Sequence, residues 1–300
     1  MKRLTNDLQP IVKLIFDLVL MLLIFLIVFF LGVLAAKLIS GVSFSQLLHA
    51  GSGDNTGLLR YSVVLQSLGL FFIPAWVIAA LYDRPANYLQ ARKLSSSVIF
   101  LMVFVLMLAV QPFVSYLAQI NTKMHFPASM SEIEQWMRFA EEQTNLLTKK
   151  LLAGTSVTDL IVSLLVIALI PAMGEEFLFR GILQKHFIEL VKNKHIGIFL
   201  TAFVFSAIHF QFFTFLPRFL LGLILGYLFV WTKSIWTNIW AHFINNAMGV
   251  FMYFYANTHG LDPQSVESYG NGKNFVFLAL VSLVITISLL YGIKKQSDIA

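Results

Sequence analysis

Residues 160–181 read LIVSLLVIALIPAMGEEFLFRG, an apolar run that ends in two carboxylates and a guanidinium. Such a run suits a membrane-spanning helix, which needs about 20 mostly apolar residues. Glu175, Glu176 and Arg180 are unexpected there, because an ionisable side chain at the bilayer centre costs at least about 2.5–3.5 kcal/mol. The stretch therefore predicts a helical membrane protein that keeps a polar site inside its helices.

The composition of the whole chain agrees with a membrane location. Of the 300 residues, 58% are hydrophobic and 12% are charged, and the mean hydropathy is +0.79. Soluble domains contain about 45–50% apolar and about 25% charged residues. A water-facing fold has no core large enough for so many apolar side chains. We therefore expect an all-α integral membrane protein whose surroundings are the lipid bilayer.

Eight stretches are long and apolar enough to be candidate transmembrane helices. They cover residues 11–36, 61–81, 97–117, 160–180 with its continuation, 196–213, 216–231, 234–255 and 275–291. The sequence shows no internal repeat, low-complexity tract or soluble segment between them. Residues 1–300 are therefore expected to form a single membrane domain.

The polar segment 131–152 predicts an amphipathic helix on the external side of the membrane. Trp136 and Phe139 lie among charged residues, and Ser131 followed by Glu134 has the spacing of a capping box. A helix of this kind can lie along a membrane interface. We favour the interpretation that it is a solvated connector with one apolar face over the interpretation that it is a lid or handles substrate.

Charged residues elsewhere indicate topology rather than a nucleic-acid partner. The 21 Lys and Arg exceed the 15 Asp and Glu, giving +6, but they are scattered between the apolar runs. Twelve, including Lys2 and Arg3, fall on the predicted cytoplasmic side and eight, including Lys273, on the other. The positive-inside rule then favours cytoplasmic N- and C-termini, and the lack of an organelle-targeting signal favours the plasma membrane. Asp17 and Asp159, near span ends, are expected to be solvated or to cap helices.

Helical geometry gives the charged residues of the opening stretch separate roles. Pro171 and Gly174 are expected to bend or loosen the helix just before them. Glu176 and Arg180 are i,i+4 neighbours and can pair, whereas Glu175 points about 100° away from Glu176. One carboxylate is therefore expected to be structural and the other to be available for chemistry.

Two later spans carry further polar residues. His209 lies at the end of the fifth span, and His242, Asn245 and Asn246 lie in the seventh. His242 and Asn246 are i,i+4 and share a helix face, from which Asn245 is displaced. At about 1.5 Å per residue, Glu175, His209 and His242 all fall at intermediate depth. We therefore expect these three side chains to converge inside the bundle.

These side chains support hydrolysis of an amide bond by either of two routes. The chain has no cysteine, which excludes thiol catalysis and Cys-ligated zinc. Glu175 in an apolar pocket is a competent general base for water, while His242 and Asn246 can donate hydrogen bonds to the oxygen that becomes negative. Alternatively, Glu175, His209 and His242 are zinc ligands with water in the fourth position. The cofactor is therefore zinc or none.

Three motifs, on the fourth, fifth and seventh spans, resemble those of a known family. They are Glu175-Glu176-x-x-x-Arg180, Phe205-x-x-x-His209 and His242-x-x-x-Asn246. In this order they are similar to the motifs of the CAAX-processing and bacteriocin-processing (CPBP, or Abi) intramembrane endopeptidases. The resemblance covers residues 160–250, which it identifies as the motif-bearing catalytic core, and nothing before that segment is diagnostic.

The resemblance implies an enzyme and assigns roles to its residues. Glu175 and His209 would activate the water, His242 and Asn246 would form the oxyanion site, and the remaining motif pair would hold the helix. The implied activity is that of a metallo- or glutamate-type endopeptidase. Its implied substrate is a membrane-associated protein, a CAAX-type tail or a leader peptide.

Two other classes of function stay open at this stage. A non-catalytic bacteriocin-immunity or scaffold protein would use the same fold to capture a peptide toxin or to support a complex, and its polar cluster would only pack. A transporter would relay protons through carboxylates and histidines at the midplane. The transporter hypothesis predicts symmetry between the two halves of the chain, which the sequence does not show.

Overall fold

The computed structural model describes residues 8–51, 53, 55–263 and 275–299, which form helices and turns but no strand. The expected all-α fold is therefore confirmed. Lys2, Arg3 and Lys273 of the predicted charge balance lie outside the described residues. In chain order the helices are α1 (Pro10–Ser40), α2 (Phe44–Leu48), α3 (Thr56–Tyr82), α4 (Pro85–Tyr88), α5 (Ser97–Thr122), α6 (Ser131–Leu151), α7 (Val157–Val191), α8 (Lys194–Ala207), α9 (Phe215–Thr232), α10 (Ile235–Thr258) and α11 (Phe275–Ile299).

Several helices are able to cross a membrane, as a multi-pass membrane protein requires. Within the described residues, six are long and apolar enough: α1, α3, α5, α7, α9 with the turn before it, and α11. Helix α8 has 14 residues and rises about 21 Å, less than the hydrocarbon thickness of about 30 Å. Helix α10 is long but carries several amide and imidazole side chains. These two helices contain the fifth and seventh predicted spans, so the number of eight stays a prediction.

Contacts made near the ends of helices define the two ends of the bundle. At one, the α1 end, Lys13 near the start of α1 pairs with Glu189 near the end of α7 at 2.8 Å. At the other, the α6 end, Lys150 of α6 donates to the carbonyl of Gly51, which follows α2, at 3.1 Å. Asn257 of α10 donates to the Leu152 carbonyl at the same end. Helix α6 therefore covers the end of the bundle opposite to the start of α1.

Helix α7 contains two π-helical segments, which flank the acidic residues of the first motif. They span Leu164–Leu169 and Phe179–Leu183. Pro171 follows the first segment. Because proline has no backbone N–H to donate, the series of backbone hydrogen bonds in the helix must be interrupted there. Gly174 then lets α7 approach α3 closely, since a Cβ at this position would lie 3.0 Å from Cβ of Phe71. The loosened and closely packed part of α7 is the part that carries the motif.

Small residues bring α9 against α8. A Cβ at Gly222 would lie 3.0 Å from Cβ of Ala202, and one at Gly226 would lie 2.6 Å from Ile198. Glycines four residues apart form the close-packing surface that membrane helices commonly use. The close approach leaves both glycine carbonyls within reach of α7, where Arg180 and Gln184 donate to them. Helices α7, α8 and α9 thus form one tightly packed unit.

The structure corrects two expectations about charged residues. The predicted capping box is absent, because a 3₁₀ turn places Met130 at the N-cap of α6 and Ser131 already inside the helix. Asp17 is neither solvated nor a cap: it is 2% exposed. Its carboxylate accepts hydrogen bonds from Tyr82 and from His186. A membrane helix end can be buried by its neighbours, and distance from the end alone does not show this.

Candidate active site

Helix α7 buries the charged pair that the spacing predicts. Glu176 and Arg180 are both fully buried, and Arg180 Nη1 donates to Glu176 Oε1 at 2.8 Å. The second guanidinium nitrogen donates to the carbonyl of Gly222 at 3.3 Å. A buried ion pair needs this compensation, because each unpaired charge would carry a desolvation penalty of several kcal/mol. The pair is therefore a fixed internal support rather than a reactive group.

Helix α10 brings His242 onto this support. Its Nδ1 lies 2.7 Å from Glu176 Oε1. Since Glu176 is paired with Arg180 and is an acceptor, the proton is assigned to Nδ1, which leaves the Nε2 lone pair free. His242 Nε2 faces Glu175 Oε2 at 3.8 Å, a distance too long for a direct hydrogen bond. The two carboxylates of α7 therefore meet opposite nitrogens of one imidazole.

Glu175 is the carboxylate that keeps a free oxygen. It is 9% exposed, and among the described residues its buried Oε2 has no hydrogen-bond partner. Buried polar atoms in folded proteins nearly always have a partner, and an exception calls for an explanation. An unpartnered oxygen that faces His242 Nε2 at 3.8 Å is suited to share a small polar molecule such as water with it. Glu175 is thus the available carboxylate.

His209 is placed by a tight turn after α8. Its Nδ1 donates to the carbonyl of Phe205 at 2.7 Å, which assigns the proton to Nδ1 and leaves Nε2 free. The next residue, Phe210, has a φ of 52°, a strained conformation for a bulky residue that is found preferentially at functional sites. The Phe205 ring lies 5.1 Å from the His209 ring and 5.8 Å from the His242 ring. The structure therefore places both histidines in one region.

Asn246 lies one turn beyond His242 on α10, as the sequence indicates. Its side-chain oxygen accepts a hydrogen bond from Asn245 at 3.4 Å. Asn245 in turn accepts from Gln111 of α5 at 3.4 Å. These long contacts hold the amides loosely, and the Asn246 amide nitrogen is left as a donor for another acceptor.

The donors present do not form the predicted zinc-binding set. A catalytic zinc ion is held by three protein ligands, and Glu175 and His242 supply two close to each other. Across residues 8–51, 53, 55–263 and 275–299, however, no three His, Asp or Glu side chains lie close enough together to hold a metal ion. Glu175, His209 and His242 thus are not assembled as ligands in this structure.

Three further residues contribute to the site, and none of them had a role in the site assigned from the sequence. Asn238 is fully buried one turn before His242, and its amide donates to Leu225 O at 2.6 Å and to Glu176 Oε2 at 3.4 Å. The sequence feature that could have identified Asn238 is an amide side chain four residues before His242 in an apolar helix. Phe205 was quoted as part of a motif, but its ring is the central contact, 4.8 Å from the Arg180 guanidinium and 5.1 Å from the His209 ring.

Arg218 is the third such residue. The sequence counted it among the basic residues on the non-cytoplasmic side, but its guanidinium interacts electrostatically with both Glu175 and His209. Its Nη2 donates to Gln211 Oε1 at 2.5 Å. Its buried Nη1 has no partner within the described part of the chain. A cation thus lies near the free carboxylate, on the side of the site that faces the α6 end.

Comparison with known proteins supports the resemblance over the motif-bearing segment. The family model described as Rce1-like, type II CAAX prenyl endopeptidase, matches residues 157–248. This range contains all three motifs, so the predicted family resemblance is confirmed there. The chain is also similar to the uncharacterized protein YpbD of Bacillus subtilis (strain 168), with 30% identity over 106 residues, 34% of this chain and 49% of that protein. The chain thus spans about half the length of this relative, and no solved structure matches it.

Proposed function

We propose that this protein, whose residues 157–248 match the CAAX-type protease family, is an intramembrane endopeptidase with Glu175 as the general base. Its substrate would be a membrane-associated protein or a tail or leader peptide. One observation carries the proposal: a buried carboxylate with a free oxygen faces the unprotonated nitrogen of a histidine that is fixed from behind by a second carboxylate. In this arrangement the Glu175 carboxylate and His242 Nε2 can together polarise a water molecule.

The proposed reaction uses each side chain in a defined role. Glu175 takes a proton from a water molecule that also donates to His242 Nε2, and the resulting hydroxide attacks the peptide carbonyl carbon. The protonated Glu175 then returns its proton to the amine as the carbon–nitrogen bond breaks. The family resemblance assigns His209 to water activation and assigns both His242 and Asn246 to the oxyanion site. Because the proton of His242 is assigned to Nδ1, its Nε2 accepts from the water instead, and Asn246 is the proposed donor to the negative oxygen. Glu176 and Arg180 keep His242 in its tautomer and position.

The proposed location is the plasma membrane, with both termini in the cytoplasm. Lys13 lies at the α1 end, where α7 also finishes. Lys192, Lys194 and Lys233 flank helices that begin or finish at this end. A concentration of basic residues at one end is the pattern of the cytoplasmic side.

A matched pair of carboxylate variants tests the proposal. Purified protein in liposomes is incubated with β-casein and with a panel of quenched-fluorescent peptides, and cleavage is followed by fluorescence and mass spectrometry. We expect Glu175→Gln to lower the cleavage rate about 10²–10⁴-fold. Glu189→Gln, which changes an exposed carboxylate on the same helix, should leave it unchanged. Equal activity of Glu175→Gln and wild type would overturn the proposal.

The non-catalytic immunity or scaffold hypothesis makes the opposite prediction. A scaffold would protect cells from a peptide toxin equally well with Glu175 or Gln at position 175, provided that both proteins are folded and present in equal amounts. An endopeptidase would lose protection together with cleavage. Elemental analysis of the same two proteins reports whether a bound metal ion depends on Glu175, and thereby separates the metallo-type from the glutamate-type mechanism.

A further inference from the structure

Helix α6 leaves part of its apolar surface on the outside of the bundle. Its side chains Trp136 and Phe139 are 53% and 61% exposed. Glu141, on the other side of the helix from Phe139, is only 7% exposed. A helix in water usually buries its apolar side chains and exposes its charges. The exposed rings suit contact with lipid, while Glu141 is turned toward the bundle.

The charged face of α6 lines a cavity of about 410 Å³. This volume lies within the range of about 300–1,000 Å³ that is typical of ligand pockets. Polar lining at the edge of a membrane protein is expensive unless water or a polar ligand occupies the space. The walls of the cavity include Arg138, Glu141, Glu142, Asn145, Lys149 and Phe213.

The floor of this cavity is the turn that follows His209. Glu141 Oε2 accepts from the backbone N–H of Phe213 at 2.7 Å, and the Arg138 guanidinium lies 4.0 Å above the Phe213 ring. Gln211 Nε2 donates to Asn145 Oδ1 at 3.3 Å. Helix α6 is thus bonded directly to the turn that holds one of the candidate catalytic histidines.

Polar contacts continue from the floor of the cavity to Arg218. Gln211 bonds through one end of its amide to Asn145 in the cavity wall and through the other end to Arg218. The buried Nη1 of Arg218 has no hydrogen-bond partner among the described residues. A chain of two hydrogen bonds therefore joins the cavity wall to a buried guanidinium.

The depth of this turn explains why polar contacts are needed. Helix α8 rises only about 21 Å from the α1 end, so the turn after it lies below the surface of a bilayer of about 30 Å. Irregular backbone is tolerated at such depth only when it is buried in protein or lines a wet cavity. Asn121 satisfies part of it, by donating to Phe212 O and accepting from Leu216 N. Helix α6 separates the remainder from lipid.

We propose that the cavity between α6 and residues 209–213 is the entrance to the site and that it binds an extended polypeptide segment of the substrate. This inference rests on the proposed endopeptidase function. The wall charges favour a peptide as occupant, because Arg138 and Lys149 are balanced by Glu141 and Glu142. A lining without net positive charge does not select an anionic lipid headgroup, whereas its mixture of donors and acceptors matches the alternating N–H and C=O groups of a backbone.

The natural absence of cysteine permits a direct test. Asn145→Cys places a thiol in the cavity and Phe139→Cys places one on the outer face of the same helix. Each protein is reconstituted in liposomes and treated with a charged methanethiosulfonate reagent on both sides of the membrane. We expect Asn145→Cys to react at least 10-fold faster than Phe139→Cys. Similar rates at the two positions would mean that Asn145 does not line a wet cavity, which would overturn the entrance.

Occupancy by peptide is measured in the presence of the Glu175→Gln change, which removes the proposed base. Saturating β-casein should slow labelling of Asn145→Cys at least 5-fold and leave the rate at Phe139→Cys unchanged. In the otherwise unaltered protein, the completed modification of Asn145→Cys should lower cleavage at least 10-fold relative to the same variant before labelling. If Asn145→Cys does not fold, Lys149→Cys in the same wall replaces it.

The outcomes separate the entrance from the chemistry. Protection by β-casein without any cleavage by the wild type would support the entrance and contradict the endopeptidase. Cleavage that persists after labelling, or labelling that β-casein does not slow, would overturn the entrance while leaving the role of Glu175 intact. Slowing by phosphatidylglycerol in place of phosphatidylcholine, with no effect of β-casein, would assign the cavity to a lipid headgroup and overturn the peptide.

Discussion

Two buried clusters in this protein combine a carboxylate with a histidine, and their surroundings differ. At the site, Glu175 and Glu176 face opposite nitrogens of His242. At the α1 end, a single carboxylate, Asp17, accepts from His186 at 2.6 Å and from Tyr82 at 2.9 Å. Both clusters leave a buried carboxylate oxygen without a hydrogen-bond partner in the described residues. An unpartnered oxygen is therefore not sufficient to identify a catalytic centre.

The two clusters differ in what their carboxylates bind. At the site, one carboxylate is neutralised by Arg180 and fixes the histidine, which leaves the second carboxylate free to react. In the cluster at the α1 end, Asp17 accepts from two donors on two other helices. That cluster ties α1 and α3 to α7, so it joins the N-terminal helix to the family-matched segment. Comparison of the two clusters predicts that one governs cleavage and the other stability.

The largest expected effect is on the support beneath His242. Arg180→Met leaves Glu176 as a buried charge without its cation, and we expect a loss of about 3–5 kcal/mol in the free energy of unfolding. The double variant Glu176→Gln with Arg180→Met removes both charges and should be more stable than Arg180→Met alone. Thermal and denaturant unfolding in detergent measure both effects.

The matched control is the Lys13–Glu189 pair, which has the same 2.8 Å separation but an exposed carboxylate. Removing it with Lys13→Met should change the free energy of unfolding by less than about 1 kcal/mol, because exposed pairs contribute little. If Arg180→Met were no more destabilising than Lys13→Met, the Glu176–Arg180 pair would not be the support that we describe.

A smaller effect is expected at the α1 end. Asp17→Ala leaves the buried donors of Tyr82 and His186 without their acceptor, which should lower the free energy of unfolding by about 1–3 kcal/mol. Cleavage per folded molecule should stay within about twofold of the wild type, measured at a temperature where both proteins are folded. A large loss of cleavage with unchanged stability would instead make this cluster part of the reaction.

Sequence reasoning predicted the fold and the pairings that are local along one helix. The apolar runs indicated the membrane helices, and the i,i+4 spacing of Glu176 and Arg180 indicated their ion pair. These features depend only on helical periodicity, which is written in the sequence.

The parts that sequence reasoning missed depend on contacts between distant segments. The partners of Asp17 come from positions 65 and 169 residues away. Arg218 was assigned to the non-cytoplasmic side because the sequence does not show how deep the turn before it lies. That depth depends on the short helix α8 and on helix α6, which covers the turn. The amphipathic pattern of α6 defined its two faces, but periodicity does not say which face is turned inward. Only packing decides that.

The smallest effect is expected at a third carboxylate and histidine, which lie outside the membrane-spanning helices. The backbone N–H of Phe126, together with Arg138 and His125, lowers the pKa of Glu134 to about 2. A lowered carboxyl pKa adds stability above the ordinary value of about 4.5, and this contribution disappears as the pH falls from there toward 2. The difference in unfolding midpoint between the wild type and Glu134→Gln should therefore be constant between pH 6 and 5 and shrink at pH 4 and 3.

Salt and a neighbouring variant complete this comparison. Because Glu134 lies near the surface and outside the membrane-spanning helices, part of its advantage is screened, and the difference in midpoint should decrease when the salt concentration is raised. The Glu176 pair is buried, so its contribution should change much less with salt. Glu132→Gln, two residues earlier on α6, is expected to show no comparable pH dependence. If the difference in midpoint at Glu134 did not change with salt, helix α6 would shield this cluster from water. The wet cavity beneath α6 would then end at Arg138.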